Sequence, residues 1–455
     1  MSFVLVPIKT MVVGLPPMTI GVARVFSRAS RVMTRIIAVL AISIAIVASP
    51  PLSAQTSSVP VRVTLDRAIE LALQNNPTLK ADRTLIAQSQ ALEITANLRP
   101  NPTILGDALF LPFFNPSNFT STYMDTTAEF DVGISYLFER GKKRQNRYQA
   151  AKDFTSVTDA QVRDNERTLT FNVAQQFVAV LLAQSTIDLA EQDLKSFQQT
   201  VDIGQAQYKA GAISEGDFLK IRLQMLQFQS DIAVARLAKV QALALLHQLL
   251  GFASVPDNFD VEGELAYQPV HTGLDDLKVL ALRTRTDLMA AQRSVTAAQS
   301  AEKLAEANGK FDVTGTVDYS HVSDVSALSF FVSFPLQIFN RNQGEIARTK
   351  SVITQSQLQA TAASEQVLSD VVNAYEGLRT NDQIIQLYQG GYLKDSKDSR
   401  DISEYAYRRG AASLLDFLDA ERTYRANELA YRQTLASYMA ALEQLREAVG
   451  TRSLP

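Results

Sequence analysis

Apolar side chains recur at alternating steps of four and three residues through a long stretch between Gly141 and Ala210. This stretch contains no proline, and its one internal glycine is Gly204. The spacing is kept for about five heptads, which is typical of coiled-coil packing. About 70 residues at ~1.5 Å each predict a rod of ~100 Å. The seam consists of Leu169, Val173, Gln176, Val180, Ala183, Ile187, Ala190, Leu194, Phe197, Val201, Gly204 and Tyr208, and a second seam of Val367, Val371, Ala374, Leu378, Asn381, Ile385, Tyr388 and Tyr392.

Four shorter runs alternate apolar and polar residues with the period of two that is typical of β-strands. Three of them begin near Phe130, Phe311 and Leu328, and a less regular one begins at Thr103. Each run is about ten residues long, the length of a tilted transmembrane strand. A water-exposed antiparallel sheet with one wet face would give the same alternation. The two predicted β-hairpins are at about 103–137 and about 311–334.

The order of these elements occurs twice along the chain. The segment Leu65–Leu73 recurs as Leu274–Leu282 at an offset of about 209, and Tyr208–Ala212 recurs as Tyr407–Ala411 at an offset of about 199. The first half therefore holds roughly ten extra residues, which we place in Pro112–Thr126 because exposed polar loops tolerate insertions. The predicted organisation is a first structural repeat at 55–250, a linker at 251–273 and a second structural repeat at 274–450.

The N-terminal segment has the parts of a secretory signal. Basic residues precede the apolar run Ile36–Val47, and small residues follow it up to Ala54. The run is too short to cross a bilayer of ~30 Å as a helix. We predict a signal peptide at 1–54, with Met33 as an alternative start of translation. A buried N-terminal helix is the other interpretation.

Composition and charge exclude several classes of function. The chain has no Cys and no Trp, which excludes disulfides, thiolate metal sites and lipid attachment to an N-terminal cysteine. Residues 1–54 hold five of the 44 basic residues and no acidic one, so the exported chain would carry 39 bases against 47 acids, a formal charge of −8. That charge argues against a nucleic-acid partner. No later segment has 18 consecutive apolar residues, so entry into a membrane would have to be by β-strands.

The number of strands predicts an oligomer. About eight strands are needed to close a barrel that has room for side chains, and open sheet edges are not tolerated in lipid. Strands from several chains must then close one barrel, and three chains would supply twelve. The predicted fold is mixed: an all-α coiled-coil tunnel joined to a transmembrane β-barrel, built from a duplicated repeat of helix, hairpin, long helix and helix.

The ordered set of motifs resembles the TolC-type outer membrane efflux protein family over about residues 62–450. The motifs are the opening Leu65–Leu73 with Asn75-Asn76-Pro77, the strand-to-helix junctions Tyr136–Arg144 and Phe334–Gly344, and the helix breaks at Gly211 and Gly410. The second junction is most similar to the subgroup that serves cobalt–zinc–cadmium exporters. The resemblance implies an outer-membrane homotrimer with a 12-stranded barrel and a periplasmic helical tunnel. It also implies docking to a periplasmic adaptor and an inner-membrane pump, with outer-membrane lipid around the barrel and no cofactor.

The resemblance also implies a periplasmic gate. It places Asp416 and Asp419 on an inward-facing helix, where three chains would bring six carboxylates together and favour cations. Tyr407 and Asp217 match positions that bond between helices to hold the tip shut. The arginine that such members carry two residues after the break glycine is absent, since Ala412 stands there. The alternative makes Asp416 and Asp419 solvated acids favoured by the start of a helix.

The two helix breaks are the predicted adaptor-docking tips, because glycine allows a tight reversal between helices. Apolar residues beside each break would supply the contact surface. The alternative is that these residues only pack the helices together. The predicted docking residues are Gly211, Gly410, Arg409, Ile213, Phe218, Leu219, Leu414, Leu415 and Leu418.

Other classes of function remain as alternatives. An enzyme is disfavoured because the chain has no glycine-rich phosphate loop, no serine-centred elbow and only the isolated His247, His271 and His321. We therefore predict no catalytic residue and no metal site. A secreted coiled-coil scaffold without a barrel would wash off membranes, whereas a barrel needs detergent. Within the channel class, a duct for type I protein secretion is the alternative to an efflux duct.

Overall fold

The computed structural model of the protein describes residues 60–454. The predicted signal peptide at 1–54, with the alternative start at Met33, lies outside the described residues. The first half contains β1 (Arg62–Val63), α1 (Leu65–Asn75), α2 (Pro77–Asn97), β2 (Thr103–Leu109), α3 (Ser121–Thr126), β3 (Glu129–Phe138), α4 (Lys143–Lys209) and α5 (Glu215–Leu250). The second half contains β4 (Asp260–Val261), α6 (Leu274–Thr284), α7 (Thr286–Asn308), β5 (Val313–Val322), β6 (Val325–Ser333), α8 (Gln343–Leu387), α9 (Leu393–Arg408) and α10 (Leu414–Val449).

Each half opens with a short helix followed by a longer one. The helices α1 and α6 have 11 residues each, and α2 and α7 have 21 and 23. In the first half, the Asn76 side chain accepts from the Leu79 N–H and Pro77 takes the first helical position, so both residues stop α1 and start α2. In the second half, Arg285 stands where Asn76 stands in the first, with an extended backbone between the two helices.

The long helices carry the predicted seams. The helix α4 has 67 residues, and its buried side chains include Leu169, Val173, Val180, Phe197 and Val201. The corresponding helix of the second half is not continuous, which corrects the prediction of one long helix there. It is divided into α8 and α9 by a π-helical turn, Tyr388–Tyr392. The turn contains Gly390-Gly391, and glycine is a poor helix former because its backbone is so free.

The long strands form one antiparallel sheet in the order β2-β3-β5-β6. Asp107 pairs with Asp131, and Gly133 pairs with Asp318, so the polar residues of three strands share one face. The other face is apolar and exposed, with Val132, Ile134, Tyr319, Leu328, Phe330 and Val332. The connections differ greatly in length: residues 110–128 join β2 to β3, whereas residues 323–324 join β5 to β6.

Left-handed backbone marks the first strand-to-helix junction. Gly141 and Lys142 have φ of 69° and 61°. Asp312, from the other half, accepts a hydrogen bond from the Arg140 N–H at 2.9 Å and one from the Lys143 ammonium at 2.7 Å. The junction motif of one half is thereby fixed against the start of the hairpin in the other.

Three apolar clusters hold the helices together. The first joins α1, α4 and α5, the second joins α6, α8 and α10, and the third lies near the far ends of α4, α5, α9 and α10. The segment 251–273 takes part in the first: β4 pairs in parallel with β1, and Val255 and Phe259 are buried. By length and hydropathy, α4 and α5 each contain an 18-residue window apolar enough to cross a membrane, and 50% of the α4 window but 28% of the α5 window is buried.

Candidate functional site

The two helix tips are built by the same set of hydrogen bonds. Gly211 and Gly410 both adopt left-handed backbone, with φ of 72° and 73°. The residue after each glycine donates its N–H five positions back, Ala212 to the Gln207 carbonyl at 2.8 Å and Ala411 to the Ala406 carbonyl at 2.9 Å. Left-handed glycine with this bond is the Schellman ending of a helix. Both predicted breaks are therefore tight reversals that depend on glycine.

A serine starts the next helix at each tip. The Ser214 hydroxyl accepts from the Asp217 N–H at 3.1 Å, and the Ser413 hydroxyl accepts from the Asp416 N–H at 3.2 Å. At the second tip the Asp416 carboxylate also accepts from the Ser413 N–H, which completes a capping box. Asp416 is thus a structural residue of the turn as well as a candidate gate residue.

At each tip, an aromatic ring from the helix before the turn stacks on one from the helix after it. Tyr208 stacks on Phe218 with ring centroids 5.3 Å apart, and Tyr407 stacks on Phe417 at 5.5 Å. The two stacks differ in their surroundings. Tyr407 is 7% exposed, inside the third cluster, whereas Tyr208 is 39% exposed. The α9–α10 tip is therefore packed within the protomer, and the α4–α5 tip presents its stack outward.

The structure places Tyr407 near Asp217 but does not join them. The Tyr407 hydroxyl is buried and has no hydrogen-bond partner among the described residues. Burial, followed by the nearby Asp217 carboxylate, raises the pKa of Tyr407. Asp217 is bonded to Lys220 at 3.0 Å and to Ser214 at 2.9 Å, and these bonds lower the pKa of its carboxyl group. The interhelical bond expected from the resemblance is not made within one protomer.

Asp416 and Asp419 are both exposed on α10. They line a groove of about 730 Å³ between α9 and α10, which also holds Asp395 and several hydroxyl groups. Asp419 forms an ion pair with Arg422 at 2.6 Å, in which both side chains are more than half exposed. The structure therefore brings three carboxylates to one groove and places the Arg422 guanidinium beside one of them, Asp419.

The predicted docking residues divide into two groups. The first group is exposed and consists of Gly211, Gly410, Arg409, Leu219 and Leu415, of which Leu415 is 76% exposed.

Leu414 does not belong to the docking surface, because it is 8% exposed and packs in the third cluster with Phe197 and Ile221. Ile213 and Leu418 pack partly against the same cluster, and Phe218 is half-buried under Tyr208. For Leu414, packing is the correct interpretation, since it lies on the face of α10 that meets α4 and α5.

Sequence reasoning missed a group of charged side chains inside the helical bundle. Arg425 bonds Asp193 of α4 at 3.0 Å and Asp231 of α5 at 2.7 Å. Nearby, Glu421 is 5% exposed, and burial raises its pKa to about 7. The available signal was periodic: from Phe417 to Leu435, steps of three and four pass through Glu421, Arg425, Glu428 and Arg432, so charges occupy the buried face of α10.

The histidines have separate surroundings. His247 is 5% exposed, and its Nε2 lies 3.2 Å from the carbonyl oxygens of Phe252 and Val255. The Nδ1 of His321 lies 3.1 Å from the Ser326 hydroxyl. Within residues 60–454, no group of three or more His, Asp or Glu side chains is arranged to hold a metal ion.

Comparison with known proteins identifies the family of the chain. The model of the family described as outer membrane efflux protein matches residues 68–252 and again 277–451, once in each half. The cobalt-zinc-cadmium resistance protein CzcC of Cupriavidus metallidurans is 25% identical over 414 residues, which cover 85% of this chain and 91% of CzcC. The cation efflux system protein CusC of Escherichia coli K12 is 28% identical over 330 residues, which cover 68% and 69% of the two chains.

A solved structure of CusC, described in terms of transmembrane channel formation, superimposes with a TM-score of 0.71. It is 22% identical and covers 89% of this chain and 96% of its own. The chain thus has the fold of the TolC-type channels. It belongs to the outer membrane efflux protein family, a family of outer-membrane channels and not of enzymes.

Proposed function

We propose that the protein works as a homotrimer, as the passive exit duct of a tripartite efflux system. An inner-membrane pump would deliver the cargo through a periplasmic adaptor to the helix tips. The observation that carries the proposal is that, within residues 60–454, both layers of one protomer have edges without a partner: the sheet and the helical bundle. Further copies would complete each layer.

The sheet supports a shared barrel. Its outer strands β2 and β6 each have one edge without a strand partner among the described residues. Its apolar face is exposed, which suits a surface that meets lipid. Because a barrel has no free edge, β6 of one protomer would pair with β2 of the next.

The helices support the same closure. Toward the tips, the helices contact one another in the order α5, α4, α10, α9, so α5 and α9 lie at the two ends of a row. Both ends carry exposed apolar residues. Those on α5 follow coiled-coil spacing and are Leu219, Leu223, Leu226, Val234, Leu237 and Leu245, and those on α9 are Ile402 and Tyr405, three residues apart. Two different complementary flanks make a head-to-tail contact that closes into a ring.

We propose metal cations as the cargo, on the basis of the names of CzcC and CusC. The acidic groove at Asp416 and Asp419 supports a cation-favouring constriction once three copies face one lumen. A pyoverdine export protein, OpmQ of Pseudomonas putida, is also 23% identical over 413 residues, so drugs or siderophores are the competing cargo.

Planar-bilayer recordings of the purified protein test the duct. The parent should conduct with a preference for cations, and Asp416→Asn with Asp419→Asn should lower that preference and weaken block by divalent ions. Asparagine is chosen because its side-chain oxygen can still accept the Ser413 N–H of the capping box, a bond that alanine would remove. Asp276→Asn, on α6, is the control for loss of one surface charge. Equal selectivity in all three proteins would place the constriction elsewhere.

A second experiment tests the cargo. Cells that lack the protein should become sensitive to cobalt, zinc or cadmium salts, and the parent gene should restore growth. If the cells become sensitive to drugs but not to metal salts, the protein is a drug duct. If resistance to metals and drugs is unchanged but a protein is no longer secreted, the protein is a type I secretion duct.

A further inference from the structure

The second long helix is broken in its middle, and the first is not. Gly391 has φ of 135° and ψ of −25°, outside the helical region. The repeat offset of about 199 places Leu189–Asp193 of α4 at the same level, where the helix is continuous. An added Cβ at Gly390 or Gly391 would meet no atom within 4 Å. Packing therefore does not require glycine at either position, and backbone freedom is what these residues supply.

The part of the chain beyond this break has one main attachment. The helix α9 packs chiefly on α10, and α10 in turn packs on α4. At the level of the break, Tyr388 lies against Tyr431 with ring centroids 5.6 Å apart. On the sheet side of the break, the Arg432 side chain donates to the Ser185 carbonyl at 2.9 Å. The α9–α10 tip can therefore move as one unit only if the contacts of α10 with the other hairpin are released.

Arg425 makes polar contacts between α10 and the other hairpin on the tip side of the break. Its guanidinium binds Asp193 of α4 and Asp231 of α5 and lies over the Phe228 ring, 4.0 Å from the centroid. Its side chain is 18% exposed, which limits competition from water. One side chain thus joins three helices across the boundary between the two hairpins, above the apolar contacts of Phe417 with Phe197.

We propose that Gly390-Gly391 is the hinge of the gate and that Arg425 is the latch that holds it closed. Release of Arg425 would let α9 and the tip half of α10 swing away from α4 and α5. This inference rests on the proposed function as a channel, in which that tip forms the constriction.

Three variants test the latch and the hinge in planar bilayers. Arg425→Ala should raise the fraction of time spent open by roughly tenfold, because it weakens only the closed state. Arg236→Ala is the matched control: Arg236 pairs with Glu191 at 2.7 Å, but both belong to the α4–α5 hairpin. It should conduct like the parent. Adding Gly390→Ala to Arg425→Ala should reduce the gain, because alanine at position 390 removes backbone freedom beside the break and leaves Gly391 free to keep its φ of 135° in the closed state.

Hydrogen exchange of the same proteins in detergent gives a readout that needs no conduction. Arg425→Ala should speed exchange in residues 393–424 and leave residues 343–380 unchanged. Equal conduction and equal exchange in Arg425→Ala and Arg236→Ala would overturn the latch. A Gly390→Ala/Arg425→Ala double variant that is open as often as Arg425→Ala alone would overturn the hinge. If no protein conducts, the parent included, but exchange still rises in Arg425→Ala, the channel function is wrong while the hinge and latch remain.

Discussion

Arg285 shows how much of the structure can depend on one side chain. It is 4% exposed and binds Asp287, Asp370 and the carbonyl of Ala448. Burial alone would raise the pKa of Asp287, but Arg285 outweighs that effect and the pKa is lowered. In the first half, a neutral side chain occupies the corresponding position: the Asn76 amide donates to the Leu249 carbonyl at 2.9 Å. In each half, the residue between the two opening helices fastens the end of the last long helix.

Arg285→Ala should therefore be strongly destabilising. It leaves two carboxylates and a carbonyl without their donor, and breaking such a partly buried pair costs ~3–5 kcal/mol. Arg285→Lys should recover only part of this, because lysine lacks the planar fork. Thermal unfolding in detergent is the measurement. The control is Arg67→Ala, whose ion pair with Glu70 is about half exposed and should contribute little, because solvent screens such pairs. Similar losses in both variants would contradict this role for Arg285.

Glu421 should make stability depend on pH. Burial, only partly offset by Arg400, raises its pKa to about 7, and Asp193 and Glu404 act in the same direction as burial. A carboxyl group with a raised pKa holds its proton in the folded state, so the contribution of Glu421 to stability is fully present below pH ~4.5 and is lost as pH rises through about 7. The shift corresponds to ~3 kcal/mol.

Glu421→Gln should flatten the dependence of the thermal midpoint on pH between 5 and 8. The control is Glu345→Gln, because Arg348 lowers the pKa of that exposed carboxyl group and its titration lies below this window. A slope that survives in Glu421→Gln would assign the pH dependence to another group.

At the scale of elements, the periodic patterns predicted the architecture well. The heptad seam of α4, the four strands and the two glycine reversals all follow from the spacing of residues along the chain, so they could be predicted from the sequence. The break at Tyr388–Tyr392 was missed because Tyr388 and Tyr392 continue the seam. The spacing of seam residues indicates which side chains share a helix face, but it does not show whether the backbone between them is helical. Leu414 was misplaced for a related reason: helical spacing gives its face, but only the packing of α10 shows that this face is buried.

The tip reversal itself can be tested as an element. Gly410→Asp should abolish export while the trimer stays assembled, because it puts a charge on the proposed adaptor contact. Left-handed backbone costs an ordinary L-residue ~1–2 kcal/mol, so strain must be separated from charge. Gly410→Asn imposes a similar backbone demand without charge and should retain export. Growth on metal salts, with trimer detected on membranes, is the measurement. Unchanged export in Gly410→Asp would refute the docking role.

At the scale of the whole molecule, the proposed assembly depends on the flanks of the helical row. Leu223→Glu with Leu226→Glu would bury two charges in the proposed contact between protomers, and the trimer should dissociate in detergent by mass measurement. Val279→Glu on α6 also replaces an exposed apolar residue, but it lies off both seams and should leave the trimer intact. A stable trimer in all three proteins would mean that the sheet alone holds the copies together.

The unequal hairpin connections decide what the assembly presents outside the cell. The helices α2, α4, α7 and α8 adjoin the sheet at one end, so both hairpin connections, with α3 in the longer one, lie at the other end. Residues 323–324 are the shortest of turns, whereas residues 110–128 include Phe113 and Phe114, which are 70% and 99% exposed. In the proposed trimer, a large ligand that approaches from outside the cell would therefore meet mainly this segment, displayed three times around the mouth. Because exposed loops tolerate changes in sequence and length, substitutions in 110–128 would alter that outer surface and leave the barrel, the tunnel and the gate in place.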